Sequence, residues 1–154
     1  MKTGEWIYIC GIIAALILVA SAVLIVCRHF KKSRKSRHLD EMEGLDFEYY
    51  CADLLESRGF IDVEVTKGSG DYGIDILAEK DGVTYAIQCK RYQAPVGVKA
   101  VQEAYAGRDY YDKMVGCVLT NQYFTQPAVE AAKKLKILLW DRGYLETMME
   151  ENEN

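Results

Sequence analysis

No CxxC pair occurs among the five cysteines, at 10, 27, 51, 89 and 117, and no histidine stands beside them at ligand spacing. That counts against a zinc ribbon or a disulfide framework, and an odd number of scattered thiols suits a reducing compartment better than an oxidising one. Internal repeats are absent, and 154 residues hold one ordinary domain with a short appendage, not two domains. Basic charge is scarce where a protein that coats nucleic acid would carry it. Residues 1 to 39 take 7 of the 19 Lys and Arg and 1 of the 23 acids, which leaves 12 bases against 22 acids, a formal charge of −10, for the rest of the chain. So acidic a domain does not attract nucleic acid in bulk. Any DNA contact must come from a local basic patch or from the basic run near the N-terminus.

Charge of either sign is missing from Trp6 to Cys27, 22 residues dominated by Ile, Leu, Val and Ala. As a helix at 1.5 Å per residue this run reaches about 33 Å, enough to cross a bilayer. A cleaved signal peptide is the rival reading, but the run is long for such a peptide and only Lys2 and Glu5 precede it. Residues 1–27 are therefore expected to form a transmembrane anchor. Six Lys and Arg follow between Arg28 and Arg37. By the positive-inside rule they put the C-terminal domain in the cytoplasm, as in a single-pass membrane protein. Residues 28–43 read as a basic linker that signals topology and attracts anionic lipid, with contact to DNA phosphates as the sharper alternative.

Beyond the linker the hydrophobic period changes from segment to segment. Phe47, Tyr50, Cys51, Leu54 and Leu55 recur at helical spacing, and Gly59 stops that helix. Ile61, Val63 and Val65 alternate with polar neighbours as in a half-buried strand, and the glycine-rich stretch 67–73 turns the chain. A second strand is expected from Ile74 to about Lys80, a hairpin turn at Asp81-Gly82, and a return strand from Val83 to Arg91. After Pro95, positions 98, 101, 104 and 105 predict a helix, 115–120 a buried strand, 124–136 a helix with Pro127 in its first turn, and 137–140 a last short strand. The alternation predicts an α/β fold over residues 44–145, a mixed β-sheet flanked by helices, with an acidic tail at 146–154 as a frayed helix end. Tyr49, Tyr50, Tyr105, Tyr110 and Tyr111 fall at helical spacing and read as core or edge aromatics, not as base-stacking platforms.

A two-residue turn makes Lys80 face Val83 and so sets Asp75 opposite Gln88. Alternation puts Lys90 on the same face, within diagonal reach of Asp75. Ile74, Ile76 and Ala78 then meet Tyr85, Ile87 and Cys89 on the other face, which is the core. Such a spacing is common by itself, and a surface Asp, a hydrogen-bonding Gln and a solvated Lys would also explain it. As a cluster it suits phosphodiester hydrolysis. Asp75, Gln88 and the Cys89 backbone carbonyl are candidate ligands for Mg2+, with Mn2+ as the alternative, and Lys90 would stabilise charge developing on phosphate or orient the attacking water. Asp71 is expected to cap the glycine-rich turn. Lys67, Ser69 and Arg91 flank the cluster as candidate DNA-phosphate contacts, against a default of solvation.

Several motifs now stand in order: Phe47-Glu48, Leu54-Leu55 and Gly59-Phe60; Gly68 through Ile76; Ile87-Gln88-Cys89-Lys90-Arg91-Tyr92; Val101-Gln102-Glu103; Leu119-Thr120-Asn121 followed by Phe124-Thr125; and Leu139-Trp140-Asp141. Together they resemble the Mrr-type restriction endonuclease catalytic domain of the PD-(D/E)xK nuclease superfamily, across essentially all of residues 44 to 142. The resemblance implies a restriction-endonuclease-like fold and Mg2+-dependent cleavage of double-stranded DNA in restriction or defence, with Asp75, Gln88 and Lys90 as the catalytic set. Gln88 stands where the superfamily more commonly carries an acid, which removes one negative charge from the metal site. Mrr-like members are similar in carrying Gln there. Glu48 matches an acidic residue that related nucleases and Holliday-junction resolvases point at the metal, although its helical position beside the apolar face also suits solvation.

Two rival readings keep the fold without the activity: a catalytically silent nuclease-fold module that holds DNA at the membrane, and an adaptor whose acidic domain engages a protein. The intact Asp75, Gln88 and Lys90 set favours the enzyme, because a retired site usually loses its lysine or its carboxylate. No small-molecule cofactor is expected, and a homodimer is the arrangement that would cut both strands. No separate recognition domain is expected ahead of the catalytic one, so specificity falls to the domain itself, a partner or the linker.

Overall fold

The Asp81-Gly82 turn sets the geometry of the sheet. Both residues adopt positive φ, 53° and 76°, the backbone that a two-residue hairpin needs to match the twist of its strands. Lys80 accordingly pairs with Val83 and Ile76 with Ile87, the expected register. The computed structural model describes residues 13–27, 38–66 and 72–150. In order, the elements of the domain are α1 (Gly44–Ser57), β1 (Ile61–Val65), β2 (Ile76–Lys80), β3 (Val83–Lys90), α2 (Val98–Tyr110), β4 (Val115–Thr120), α3 (Gln126–Leu135), β5 (Ile137–Trp140) and α4 (Arg142–Glu150).

The five strands lie in the order β1-β2-β3-β4-β5. β1, β2 and β3 are antiparallel neighbours, whereas β3, β4 and β5 run parallel, with α2 and α3 as the crossovers that parallel pairing requires. This is the expected mixed sheet flanked by helices. One face packs Ile76, Ala78, Ile87, Cys89, Cys117 and Leu119 against Phe47, Cys51 and Leu55 of α1 and Leu145 of α4. The other packs Val118 and Ile137 against Ala100, Val101 and Ala104 of α2 and Ala128 and Ala132 of α3. α3 starts where the Thr125 hydroxyl accepts a hydrogen bond from the Ala128 N–H, with Pro127 in its first turn. At the sheet edge, the β1–β2 register shifts between Ile61 and Glu64, and Asp62 takes positive φ. Such a bulge twists an exposed edge away from further pairing.

Three local expectations change. β2 begins at Ile76, so Ile74 lies outside the alternation and is buried beside Gly107 of α2, not on the α1 face with Ile76. The stretch expected to fray from Glu146 is instead the ordered helix α4. Its Leu145, Met148 and Met149 are buried, and the Arg58 guanidinium donates to the Met148 carbonyl. With Leu39 also fully buried, the packed chain runs from Leu39 to Met149, past both ends of 44–145. Tyr49, Tyr105 and Tyr110 are exposed, and Tyr110 stacks on Tyr72 with ring centroids 3.7 Å apart.

Residues 13–27 form a helix with every side chain exposed, within a unit that ends at His38. Among the described residues no helix is long and apolar enough to cross a membrane. Residues 6–12 of the expected anchor, the basic run at 28–37, Lys67, Ser69, Asp71 and tail residues 151–154 lie outside the described residues.

Candidate active site

Backbone hydrogen bonds hold Asp75 from both sides. Its N–H donates to the Ile87 carbonyl and its carbonyl accepts from the Thr66 N–H, both at 2.9 Å, while the Thr66 hydroxyl donates to the Ile74 carbonyl at 2.5 Å. The side chain is then aimed at β3: Oδ2 accepts from the Cys89 N–H at 2.6 Å and from Nε2 of Gln88. Asp75 is 9% exposed and Gln88 3%, because α2 covers the face that the strand pattern had left open.

Gln88 must turn its NH2 toward Asp75, since a carboxylate cannot donate to an amide oxygen. Nε2 also donates to the Cys89 carbonyl at 3.3 Å, so the amide hydrogens are used and the oxygen is left over. Gln88 Oε1 is buried and has no hydrogen-bond partner among the described residues. Stranding such an acceptor costs roughly 1–3 kcal/mol, a penalty that a bound cation would remove. Gly73 permits the close approach of both side chains: a Cβ there would lie 2.9 Å from Gln88 Oε1 and 3.0 Å from Glu103 Cβ.

Lys90 ends β3 opposite Thr120 of β4, whose hydroxyl donates to the Lys90 carbonyl at 2.6 Å. Its ammonium lies 2.9 Å from Glu103 Oε2 of α2, the two side chains being 19% and 28% exposed. From the other side of the sheet comes Glu48, half-buried on α1. A hydrogen bond with Cys51 and burial push the Cys89 thiol well above its ordinary range, and the charges of Asp75 and Glu48 add to that rise. Glu48 is therefore close enough to act on the strand that carries Gln88 and Lys90. The Cys89 thiol belongs to the α1 core, which leaves its carbonyl as the group available at the site.

Asp75, Gln88 and the Cys89 backbone thus come together, Lys90 follows them on β3 and is paired with Glu103 beside Gly73, and Glu48 acts on Cys89 from α1. Arg91 turns elsewhere, its Nη2 donating to the Asp40 carbonyl at 2.6 Å. Beside it lies a polar clasp that the sequence pattern did not reveal. Arg142 grips the Asp40 carboxylate with two bonds of 2.9 Å, and buried Asn121 donates to the same carboxylate at 2.8 Å and exchanges bonds of 2.9 Å with the Tyr92 backbone. The Arg142 hydrogen bonds hold the Asp40 carboxyl below its ordinary range, against the opposing effect of burial, and Asn121 and the Arg91 charge assist. Glu103 was visible only as part of a motif, and nothing in the spacing tied it to Lys90.

The donor set suits a divalent cation that keeps much of its water: one carboxylate, one orphaned amide oxygen and one backbone carbonyl near the end of β3. Among the described residues no three His, Cys, Asp or Glu side chains gather as they would in a closed all-protein site.

The Mrr_cat family, described as restriction endonuclease, matches residues 39–149. No curated protein matches the chain. Among solved structures it is similar to a protein of unknown function, AF1548, at 24% identity and a TM-score of 0.62, over 72% of this chain and 67% of that one. The DNA modification-dependent restriction endonuclease AspBHI is similar at 14% identity and a TM-score of 0.59, over 80% of this chain and 36% of that one. The MspJI restriction endonuclease, solved in complex with a 27-mer oligonucleotide, is similar at 16% identity and a TM-score of 0.52, over 77% of this chain and 30% of that one. The chain spans about a third of each of those two enzymes, and at these identities the likeness speaks for the fold.

Proposed function

The chain belongs to the Mrr_cat restriction endonuclease family, and from that premise we propose that it is a metal-dependent deoxyribonuclease hydrolysing phosphodiester bonds in double-stranded DNA. The observation that carries the metal dependence is the orphaned Gln88 Oε1 beside the Asp75 carboxylate. Asp75, Gln88 Oε1 and the Cys89 carbonyl would hold Mg2+ or Mn2+. When bound, the ion lowers the pKa of a water that attacks phosphorus and neutralises charge on the phosphate. Asp75 serves as a rigid carboxylate because its backbone is fixed to both neighbouring segments. Lys90 presents its ammonium from the end of β3, where it meets the negative charge that grows on the phosphate oxygens. Glu48 supplies further negative charge from α1. Lys67 and Ser69, which precede Gly73 in the sequence, are the proposed phosphate contacts, whereas Arg91, expected with them, is engaged by the Asp40 carbonyl.

DNA is proposed as the substrate because the structural neighbours include a modification-dependent DNA endonuclease and one solved with an oligonucleotide. The test is cleavage of supercoiled plasmid by the full chain in detergent, with and without Mg2+. Lys90→Ala is expected to lower the rate by about a hundredfold or more, the usual loss when one preorganised charge-stabilising donor is removed. Undiminished cleavage by that variant would overturn the assignment, and DNA binding without cleavage under either metal would support the silent module. Linear rather than nicked product would support a homodimer.

We further propose that the charge-free run from Trp6 to Cys27 anchors the chain in a membrane with the domain on the cytoplasmic side, on the strength of its length and the six cations after it. Alkaline carbonate should leave the chain in the membrane pellet. Release into the supernatant would remove the anchor from the proposal.

A further inference from the structure

Neutral Gln88 leaves this site with a problem of charge. Within the β2–β3 hairpin the charges of Asp75 and Lys90 cancel, with Glu48 of α1 adding one negative charge from the other side of the sheet, and an ammonium beside an intended cation site repels the cation unless something opposes it. The structure supplies the opposing group from an element outside the β2–β3 hairpin. Glu103 on α2 places Oε2 2.9 Å from Lys90 Nζ, an ion pair without hydrogen-bond geometry, with the side chains 28% and 19% exposed. Glu103 also packs against Gly73 beside Gln88 Oε1, since a Cβ on Gly73 would touch both residues. We propose that Glu103 is a positioning residue of this site: it holds the Lys90 ammonium in place and offsets its charge, so that Lys90 does not cancel the negative charge of Asp75 at the cation site.

Lys99 lies at 3.7 Å from the other oxygen of Glu103 but is 88% exposed. A solvated lysine one turn away cannot hold the carboxylate as firmly as Lys90 does. The burial on the Lys90 side gives the contact its direction: α2 packs on the sheet through Ala100, Val101 and Ala104, so Glu103 is carried to Lys90 by the same packing that closes the face.

The proposal rests on the nuclease reading for its catalytic consequence, but its geometric content can be measured without turnover. The experiment compares the full chain with Glu103→Ala, Glu103→Gln and Lys99→Ala. The acylation rate of each lysine is read by mass spectrometry after brief treatment with an acetylating reagent, normalised to the exposed Lys133 and Lys134, alongside thermal melting and steady-state plasmid cleavage. Glu103→Ala is expected to raise Lys90 acylation several-fold and to lower kcat by about tenfold to a hundredfold, the usual effect of losing a supporting partner. KM for DNA and the melting temperature should stay near wild type. Glu103→Gln, which keeps an acceptor oxygen, should recover part of both effects, and Lys99→Ala should change neither.

Lys90 acylation unchanged in Glu103→Ala overturns the proposal, as does a loss that falls on KM or follows the melting temperature. If the wild-type chain cleaves no DNA while Lys90 acylation still rises, the positioning stands and the nuclease reading fails.

Discussion

Two demands meet at the Cα of Gly73. Its φ of 78° is a conformation in which a side chain is strained, and the Cβ it lacks would fall 2.9 Å from the oxygen of Gln88. Gly82 shares the first demand without the second, with φ of 76° and nothing within 4 Å. The pair therefore separates backbone strain from obstruction of the site. Gly73→Ala and Gly82→Ala should each lose about 1–2 kcal/mol of stability from the left-handed backbone, measured by urea denaturation, but only Gly73→Ala should also lose most plasmid cleavage. Equal cleavage by the two variants would show that the space beside Gln88 is dispensable. Asp75, Gln88 and Lys90 were legible in the sequence because one two-residue turn sets the register of a hairpin and strand alternation does the rest. Gly73 and Glu103 were not, since the first read as one more turn glycine and the second meets Lys90 only after α2 has packed on the sheet.

Among the elements, α2 decides how deeply the site is buried. Ala100, Ala104 and Gly107 line its inner face and let the helix lie close to the strands. At Gly107 the approach is tightest, where an added Cβ would sit 2.2 Å from Ile74 Cγ1 and 3.1 Å from the Tyr72 carbonyl oxygen. Gly107→Ala improves helix propensity by about 1 kcal/mol, yet it inserts a methyl where a buried β-branched side chain and a backbone oxygen leave no room, and overpacking costs roughly 1–3 kcal/mol. The clash should win, giving a lower urea midpoint than wild type. A higher midpoint would mean that α2 can move off the sheet at little cost. Helical spacing predicted α2, but it did not predict that Ile74 would cross to meet it, because Ile74 precedes the regular part of β2. α4 was missed for a different reason: Glu146 and Glu150 flank its apolar residues and made an acidic tail the simpler reading.

For the molecule as a whole, the clasp on Asp40 joins parts of the chain that no local pattern connects. Asp40 enters from the start of the domain, Arg142 from the last helix, Asn121 from the end of β4, and Arg91 from the end of the strand that carries Lys90. Sequence spacing could not expose a pair 102 positions apart. Because Arg142 holds the Asp40 carboxyl below its ordinary range, the folded state favours the ionised form. Its contribution to stability is complete above the unfolded value of about 4 and declines as pH falls through the lowered folded value. The Asp40 side chain is 38% exposed, so solvent screening limits the pair to about 1 kcal/mol. Asp40→Asn keeps the shape and one acceptor oxygen but removes the charge. Urea denaturation should find it less stable than wild type by about that amount at pH 7, with the difference shrinking below pH 4 as wild-type Asp40 takes up its proton. A difference that holds constant from pH 7 to pH 3 would mean that the clasp acts through shape and hydrogen bonding, with the charge contributing nothing.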